Sequence, residues 1–487
     1  MYLNLVIALR EIVLDTPPLI YDLALNKINS PSSRSKSNMK KILFIQPKFS
    51  IDKMYQMRDA MYNLGFAYLA AHLPDHWQAE FVDEELEKIT YDTDADIIGI
   101  TTITLYVNQA YRIAAAFRAR GKKVIMGGVH ASMYPDEALN YCDAVCIGDG
   151  EHVIAEMLDD FEHSRLKKKY KSEARPLTGM KLPRHDLFKP VYRFTPIATS
   201  RGCPFDCDFC AINAFYENVY RQRDVEDIIH ELASLPKKNN MIYFTDGNIY
   251  GNSPREVRRF KTLCRRIIEE RKKGNMPFNY FICFASINAL ADIEALDLAS
   301  AAGCRNMLID FESINPESLK DMNKTLNLEK YPPEKYSELV DNARKRKIII
   351  TAEMVFGNDA DNADVLAQTE RYLESASFDI LRLYAKQTLP GTRFYKKMEQ
   401  EGRLKLNKFP DDWDRTREKF VAGIHFKMKN LTEEQLQGWM KKVGMNFYSP
   451  HKIFFRSMRF LRITRNPKLA MTLAWVSVKG RKWYTGI

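Results

Sequence analysis

The sequence contains no run of about 18 or more apolar residues, so no membrane-spanning helix is expected. Its opening, MYLNLVIALREIVLDTPPLIYDLAL, lacks a basic start and a small-residue cleavage site, which argues against a secretory leader. No GxGxxG follows a strand, and Gly148-Asp149-Gly150 alone is weak evidence for a dinucleotide. No RNA-binding module is evident, so nucleic acid is not expected as a partner. Cysteine is scarce: of eight, three fall in one short motif and five are scattered, which is no disulfide framework. That usage favours a reducing, cytosolic compartment and metal chemistry.

What is present suits a folded chain of several domains. At 487 residues two to four are expected, and 45% hydrophobic with 28% charged residues is enough for a substantial core. The net charge of +11 is uneven, because residues 451–487 hold nine Lys or Arg and no Asp or Glu. Residues 1–39 read as an extension and linker ending in NKINSPSSRSKSNM. Three readings stand for them: a loose extension, a misassigned start, or an ordinary helix docked on the body.

Residues 40–165 alternate strands and helices. KKILFIQP (40–47), AEFVDEEL, ADIIGITTI (95–103), KKVIMGG (122–128) and DAVCIGDGE (143–151) are the strands, several ending in glycine. This predicts an α/β, Rossmann-like doubly wound sheet, which binds ligands at its strand C-termini. Residues 166–193 are basic and contain proline, and read as a linker. Six further strands are predicted at 194–200, 241–247, 278–286, 305–313, 347–357 and 378–386. With the helices between them they predict a partial (β/α)6 barrel over 194–390 whose working face is at the strand C-termini. Residues 391–487 read as a helical C-terminal region with a basic tail, and Thr432 is a predicted N-cap.

The chemistry centres on Thr199-Ser-Arg-Gly-Cys203-Pro-Phe-Asp-Cys207-Asp-Phe-Cys210, a CxxxCxxC spacing just after the first barrel strand. Three thiolates satisfy three irons of a [4Fe–4S] cube, where an electron-transfer ferredoxin supplies four. The fourth iron is left open, the mark of a catalytic rather than a sealed site. A zinc site would want four ligands, and no CxxC or HxxxH pair lies nearby. Cys142, Cys146, Cys264, Cys283 and Cys304 read as core thiols, and no second three-cysteine set exists for an auxiliary cluster.

This motif resembles that of the radical S-adenosylmethionine superfamily. The resemblance implies that the open iron chelates the methionyl amine and carboxylate of S-adenosylmethionine, whose reductive cleavage gives a 5′-deoxyadenosyl radical. It places Phe209 near adenine, and Asp246 and Asn248 near the methionyl amine. Glu312 and Ser313 take ribose or amine contacts, and Glu353 with 355–357 walls the adenine. Two departures are visible: Gly247 replaces one of two adjacent acids, and Asp310 stands where glycine is frequent. For each of these outer residues the other reading is an ordinary strand-end turn group.

Residues 40–165 resemble the cobalamin-binding domain of one branch of that superfamily, through ILFIQP, GITTIT, GGVHAS and CIGDGE. The likeness continues through LPGTRFYKKMEQEGRL (389–404), DDWDRT (411–416) and FYSPHKI (447–453), and so covers roughly 40–455. It implies cobalamin contacts from Thr102, Thr104, Gly127, Gly128, His130, Gly148 and Glu151. The DxHxxG motif that supplies an axial histidine in some cobalamin domains is absent from PKFSIDKMYQ, so no imidazole is expected from that loop. His130 has two further readings, an interdomain contact or an ordinary loop histidine, and the domain itself could be a Rossmann-like module with another cofactor or none.

The expected function is therefore a cobalamin-dependent radical methyltransferase acting on an unactivated carbon. A non-methylating radical cyclase or other ring-former of the same architecture is the second reading, and a cobalamin or S-adenosylmethionine sensor the third. Flavodoxin or ferredoxin is the expected reductant, and the substrate a small molecule or a lipid. The tail, with Lys452, Arg456 and Arg459 at helical spacing among Phe455, Met458 and Ile463, has three readings: packing on the body, a membrane surface that would make the protein peripheral, or an acidic redox partner.

Overall fold

The computed structural model describes residues 39–49, 61–236, 241–417 and 423–485, so the expected extension lies outside the described residues except for Met39. The first sheet is built from β1 (Lys40–Gln46), β2 (Trp77–Asp83), β3 (Ile97–Thr101), β4 (Lys123–Gly127), β5 (Ala144–Ile147) and β6 (Lys169–Lys171). They lie in the order β2-β1-β3-β4-β5-β6, every neighbouring pair parallel. The apolar run of β1 splits between the two faces, as a period of two requires. Ile42 and Phe44 enter one core with Ile154, Met157 and Leu158, and Leu43 and Ile45 the other with Ile113 and Phe117. Both faces are helix-covered, which is why the strand needs no polar alternation. β6 corrects the expected linker at 166–193: Tyr170 is buried, opposite Cys146, between two exposed lysines.

The second sheet has β7 (Thr195–Ile197), β10 (Met241–Phe244), β11 (Tyr280–Ala285), β12 (Cys304–Glu312), β13 (Ile349–Phe356) and β14 (Ile380–Ala385) in that order, all parallel. β8 (Ser200–Arg201) and β9 (Arg221–Gln222) form a small antiparallel pair beside it. All six predicted barrel strands are present. β7 and β14 are the two edges, so the barrel is partial and has an open seam. On β14 the backbone N–H groups of Leu381 and Leu383 donate to the hydroxyls of Tyr448 and Tyr484 at 3.0 and 3.1 Å. Polar groups that an edge strand would leave unpaired are thus satisfied by the C-terminal helices.

The C-terminal region is not only helical. Residues 391–417 run back over the first sheet as a strap, and Tyr395, Leu406 and Trp413 join the core beside Phe117. Trp413 Nε1 donates to both carboxylate oxygens of Glu137 at 3.1 Å, and Asn108 Nδ2 donates to the Pro410 carbonyl at 2.9 Å. Helices Glu433–Phe447, Pro450–Thr464 and Pro467–Thr485 follow, the first closed by a Thr432–Gln435 capping box. The last two pack Phe460, Leu473 and Val476 on Ile349 and Ile380. Of the three basic residues singled out in the tail, two are engaged with the body, as the packing reading has it. Arg456 is buried over the Phe447 ring, and Arg459 donates to the Ser377 carbonyl at 3.2 Å. Among the described residues no helix is long and apolar enough to cross a membrane.

Candidate active site between the two sheets

A cleft separates the strand C-termini of the first sheet from those of β7 and β10. Its walls include Thr102, Gly127, Gly128, Gly148 and Glu151 on one side, and Ala198, Ser200, Arg201, Thr245 and Gly247 on the other. The remaining lining is largely aromatic and aliphatic, with Tyr62, Phe66, Tyr68, Ile103 and Phe215. Glycine is needed at 128: φ is +95°, and a Cβ there would meet the Thr102 carbonyl oxygen at 2.5 Å. A concave, mostly apolar site at the switch point of a doubly wound sheet is where such a fold takes a large ligand.

Thr104 and His130, expected on this wall, are not part of it. His130 is fully buried behind it, with Nδ1 3.1 Å from Thr104 Oγ1 and Nε2 3.2 Å from Glu137 Oε1. Burial holds its imidazole below the usual range against the pull of Glu137. Its ring lies edge-on to Trp413, centroids 5.2 Å apart, so it anchors the strap to the sheet. Among the described residues no histidine lines the cleft.

The two sides of the cleft are joined by a buried cluster of four charges. Arg201 Nη1 lies 2.9 Å from Asp149 and Arg221 Nη2 2.8 Å from the same carboxylate, while Arg201 Nη2 pairs with Glu151. Burial opposes the charge on Asp149, but Arg201 and Arg221 outweigh it and hold the carboxyl below its ordinary range. Arg201 is two residues before Cys203, and Asp149 and Glu151 follow β5. One ion network therefore ties the cysteine motif to the glycine-rich edge of the first sheet.

The cysteine loop leaves β8 through Gly202, at φ +83°, where a Cβ would sit 2.1 Å from the Val219 carbonyl oxygen. Cys207 is buried and Cys203 and Cys210 are half-buried, all three as free thiols. Burial, then the neighbouring Cys210 and Cys207 sulfurs, push the Cys203 thiol well up. Burial likewise pushes Cys207 to about 12 against the Lys324 ammonium. Crowded thiols that resist ionisation alone become thiolates once iron replaces their protons. Among the described residues no three His, Cys, Asp or Glu converge on one metal ion. A cubane does not ask for that, since each thiolate takes its own iron. The residues fit a three-thiolate cluster.

The loop is held from outside by elements far away in sequence. Phe394 N donates to the Asp208 carbonyl at 3.0 Å, Lys386 Nζ lies 3.1 Å from the Asp208 carboxylate, and Arg393 Nη1 2.6 Å from that of Asp206. Asn323 Nδ2 donates to the Asp206 carbonyl at 2.5 Å. Gly202→Ala is expected to cost about 1–3 kcal/mol in backbone strain alone. The Val219 clash adds to it, and the reconstituted variant should hold well below one cluster per chain by iron and sulfide analysis. Full occupancy would show that the loop does not need this turn.

The outer residues divide by their bonding. Asp246 accepts from Thr199 Oγ1 at 2.6 Å and Ser200 Oγ at 2.5 Å, bolting β10 to the strand that leads into the cysteines. Asn248 donates to Ser286 Oγ at 2.5 Å and accepts from Gly251 N at 2.7 Å. Ser313 Oγ accepts from Asn315 N at 3.0 Å. Glu312, at φ +63°, pairs with Lys324 at 2.9 Å, and Glu353 with Arg382 at 3.3 Å. Burial raises both carboxyls against these cations, Glu353 to about 7. Phe209 lies under Lys386 Nζ, 5.6 Å from its ring centre. Lys324 was not visible in the sequence pattern. Buried between Asp310 and Glu312, it shares a second cavity with Cys207, Asn252 and Ser286.

Comparison with known proteins gives this geometry a family. Residues 197–367 match the Radical SAM superfamily and residues 57–158 the B12 binding domain. Bacteriochlorophyllide d C-12(1)-methyltransferase of Chlorobaculum tepidum is 30% identical over 393 residues, 78% of this chain and 82% of the relative. The chain belongs to the cobalamin-dependent radical S-adenosylmethionine methyltransferase family. Bacteriochlorophyllide d C-8(2)-methyltransferase of the same organism is 28% identical over 82% of this chain and 88% of the relative. The hopanoid C-2 methylase of Rhodopseudomonas palustris is 26% identical over 70% and 64%. Two solved structures share the fold. OxsB, with aqua-cobalamin and S-adenosylmethionine bound, has a TM-score of 0.64 at 15% identity, covering 89% of this chain and 70% of that one. TsrM from Kitasatospora setae, with cobalamin and a [4Fe–4S] cluster, has 0.61 at 17%, covering 74% and 78%. As a member of this family the chain is an enzyme whose cofactors are a [4Fe–4S] cluster, S-adenosylmethionine and cobalamin, and it needs a reductant and a small-molecule substrate.

Proposed function

We propose that this enzyme methylates an unactivated carbon of a large, mostly apolar small molecule, a tetrapyrrole or polycyclic lipid. The observation that supports the reading is the shared cleft, lined both by Arg201 of the cysteine motif and by Gly127, Gly128 and Gly148 of the first sheet. When bound, the cluster and S-adenosylmethionine supply a carbon radical and cobalamin a transferable methyl group. Cys203, Cys207 and Cys210 would hold the cluster. Phe209, Glu312, Ser313 and Glu353 would frame S-adenosylmethionine, with Lys324 as a buried cation facing the same space. Asp246 and Asn248 fit a supporting role better than direct contact, since their polar atoms already serve Thr199, Ser200, Ser286 and Gly251. Thr102, Gly127, Gly128, Gly148 and Glu151 would cradle cobalamin. Thr104 and His130 would act from behind that wall. The aromatic lining excludes water, which protects a radical from side reactions.

The relatives named for bacteriochlorophyllide and hopanoid methylation support the substrate class, and a flavodoxin or ferredoxin is the proposed reductant. The test is label transfer. Anaerobically reconstituted enzyme, given S-adenosylmethionine with a deuterated methyl group, a chemical reductant and bacteriochlorophyllide d or a hopanoid, should yield product three mass units heavier per methyl. Formation of 5′-deoxyadenosine with an unlabelled, ring-closed product would replace this reading with the cyclase one.

A further inference from the structure

Half of the large apolar side chains exposed among the described residues lie in one short stretch. Of twelve, Phe454, Phe455, Met458, Ile463, Met471 and Val478 belong to the last two helices. Three of them are the most exposed of the twelve, Met471 at 71%, Phe455 at 67% and Phe454 at 60%. Apart from Ile463, the six fall on one face of each helix. On Pro450–Thr464 the exposed positions His451, Phe454, Phe455, Met458 and Arg462 recur at steps of three, one, three and four residues, one face of a helix. On Pro467–Thr485 Lys468, Met471, Val478 and Lys482 are exposed and Trp475 is half-exposed, again at single-face spacing. The opposite faces carry Ile453, Phe460, Leu473 and Val476 into the body, so the outer stripes are not the core side of the helices. A run of exposed aromatic and sulfur side chains has no packing reason at a water surface, and such patches mark contact sites.

The charge around the stripes selects the partner. Arg462, Arg465, Lys468 and Lys482 are exposed at their ends, and no acidic residue occurs anywhere in 451–487 to balance them. An apolar stripe bordered by cations alone is complementary to an anionic lipid leaflet. Rings and methionines enter the acyl boundary while guanidinium and ammonium groups meet phosphates. We infer that the paired helices 450–464 and 467–485 are a monotopic docking surface that seats the enzyme on an anionic membrane. The inference is independent of what the radical does.

Sedimentation with vesicles tests it on the full-length, cluster-loaded enzyme. Vesicles of phosphatidylglycerol and phosphatidylcholine are expected to carry the protein down and vesicles of phosphatidylcholine alone to leave it in solution, with release at high salt. The double variant Phe454→Asp/Phe455→Asp and the triple variant Arg462→Glu/Arg465→Glu/Lys468→Glu should each weaken partitioning by about tenfold or more. All these positions are exposed and far from the cysteine loop in the chain, so cluster content and uncoupled 5′-deoxyadenosine formation should not change. Failure to sediment with either vesicle would overturn the inference, as would unchanged binding by both variants. A concentration-dependent dimer in ultracentrifugation that the phenylalanine variant abolishes would overturn it too, by assigning the face to a second copy of the chain.

Discussion

Replacement of Cys207 by alanine is expected to bring 5′-deoxyadenosine formation down to background, a loss of at least about three orders of magnitude. The thiol is buried in the loop that Gly202, Asp206 and Asp208 hold in place. A cube with two protein ligands exposes two irons, and the cluster should be lost or degraded rather than merely slowed. Visible absorbance, iron content and the product assay read the outcome together. Cys264→Ser is the control, since that thiol is buried in the barrel core among apolar neighbours and should keep the cluster and the activity. A Cys207→Ala protein that still cleaved S-adenosylmethionine would remove the basis for assigning the cluster to this loop.

Arg201→Gln is expected to separate the two halves of the reaction. Arg201 balances Asp149 and Glu151 in a buried network, and Arg221 alone cannot neutralise both. Stranding buried charge costs about 3–5 kcal/mol. The loss falls on the joint between the two sheets, because the three cysteines and their loop contacts are untouched. The expected phenotype is a near-normal cluster content, at least about tenfold weaker cobalamin retention, and methyl transfer falling much further than 5′-deoxyadenosine formation. Iron analysis, cobalamin absorbance after gel filtration and the ratio of the two products measure these separately. An equal fall in both products, with the cluster intact, would show that the network serves the radical-generating half alone.

The strands were legible because each is a short apolar run ended by glycine or a polar residue. Every predicted barrel strand is present, and the CxxxCxxC loop falls after the first as its spacing required. β6 was missed because a three-residue edge strand with lysines at both ends carries no hydrophobic run. Only Tyr170, facing inward, marks it. The strap at 391–417 was illegible for another reason. Its buried anchors, Tyr395, Leu406 and Trp413, are widely spaced and touch a sheet formed some three hundred residues earlier. Asp246 and Asn248 could be recognised as strand-end polar groups, but pattern alone does not show that Thr199, Ser200 and Ser286 already engage them. Lys324 gave no signal, since a lysine in a turn is ordinarily solvated and only the fold buries it between two carboxylates. His130 was expected as a cobalamin contact, an interdomain contact or an ordinary loop histidine; it is buried behind the wall with Nδ1 beside Thr104 and Nε2 beside Glu137, a framework part.

The strap also bears on how the enzyme could be taken apart. Residues 391–417 leave the second sheet, contribute to the core of the first, and lead back to helices that cap β14. Units read along the chain are therefore not units in space. A hybrid joined only between residues 165 and 194 would pair a foreign first sheet with a native strap, leaving Glu137, His130 and the pocket for Trp413 mismatched. Exchange of the cobalamin module among relatives should need a second crossover around the strap. A swap with one breakpoint is accordingly expected to lose the packing of Tyr395, Leu406 and Trp413 on the first sheet.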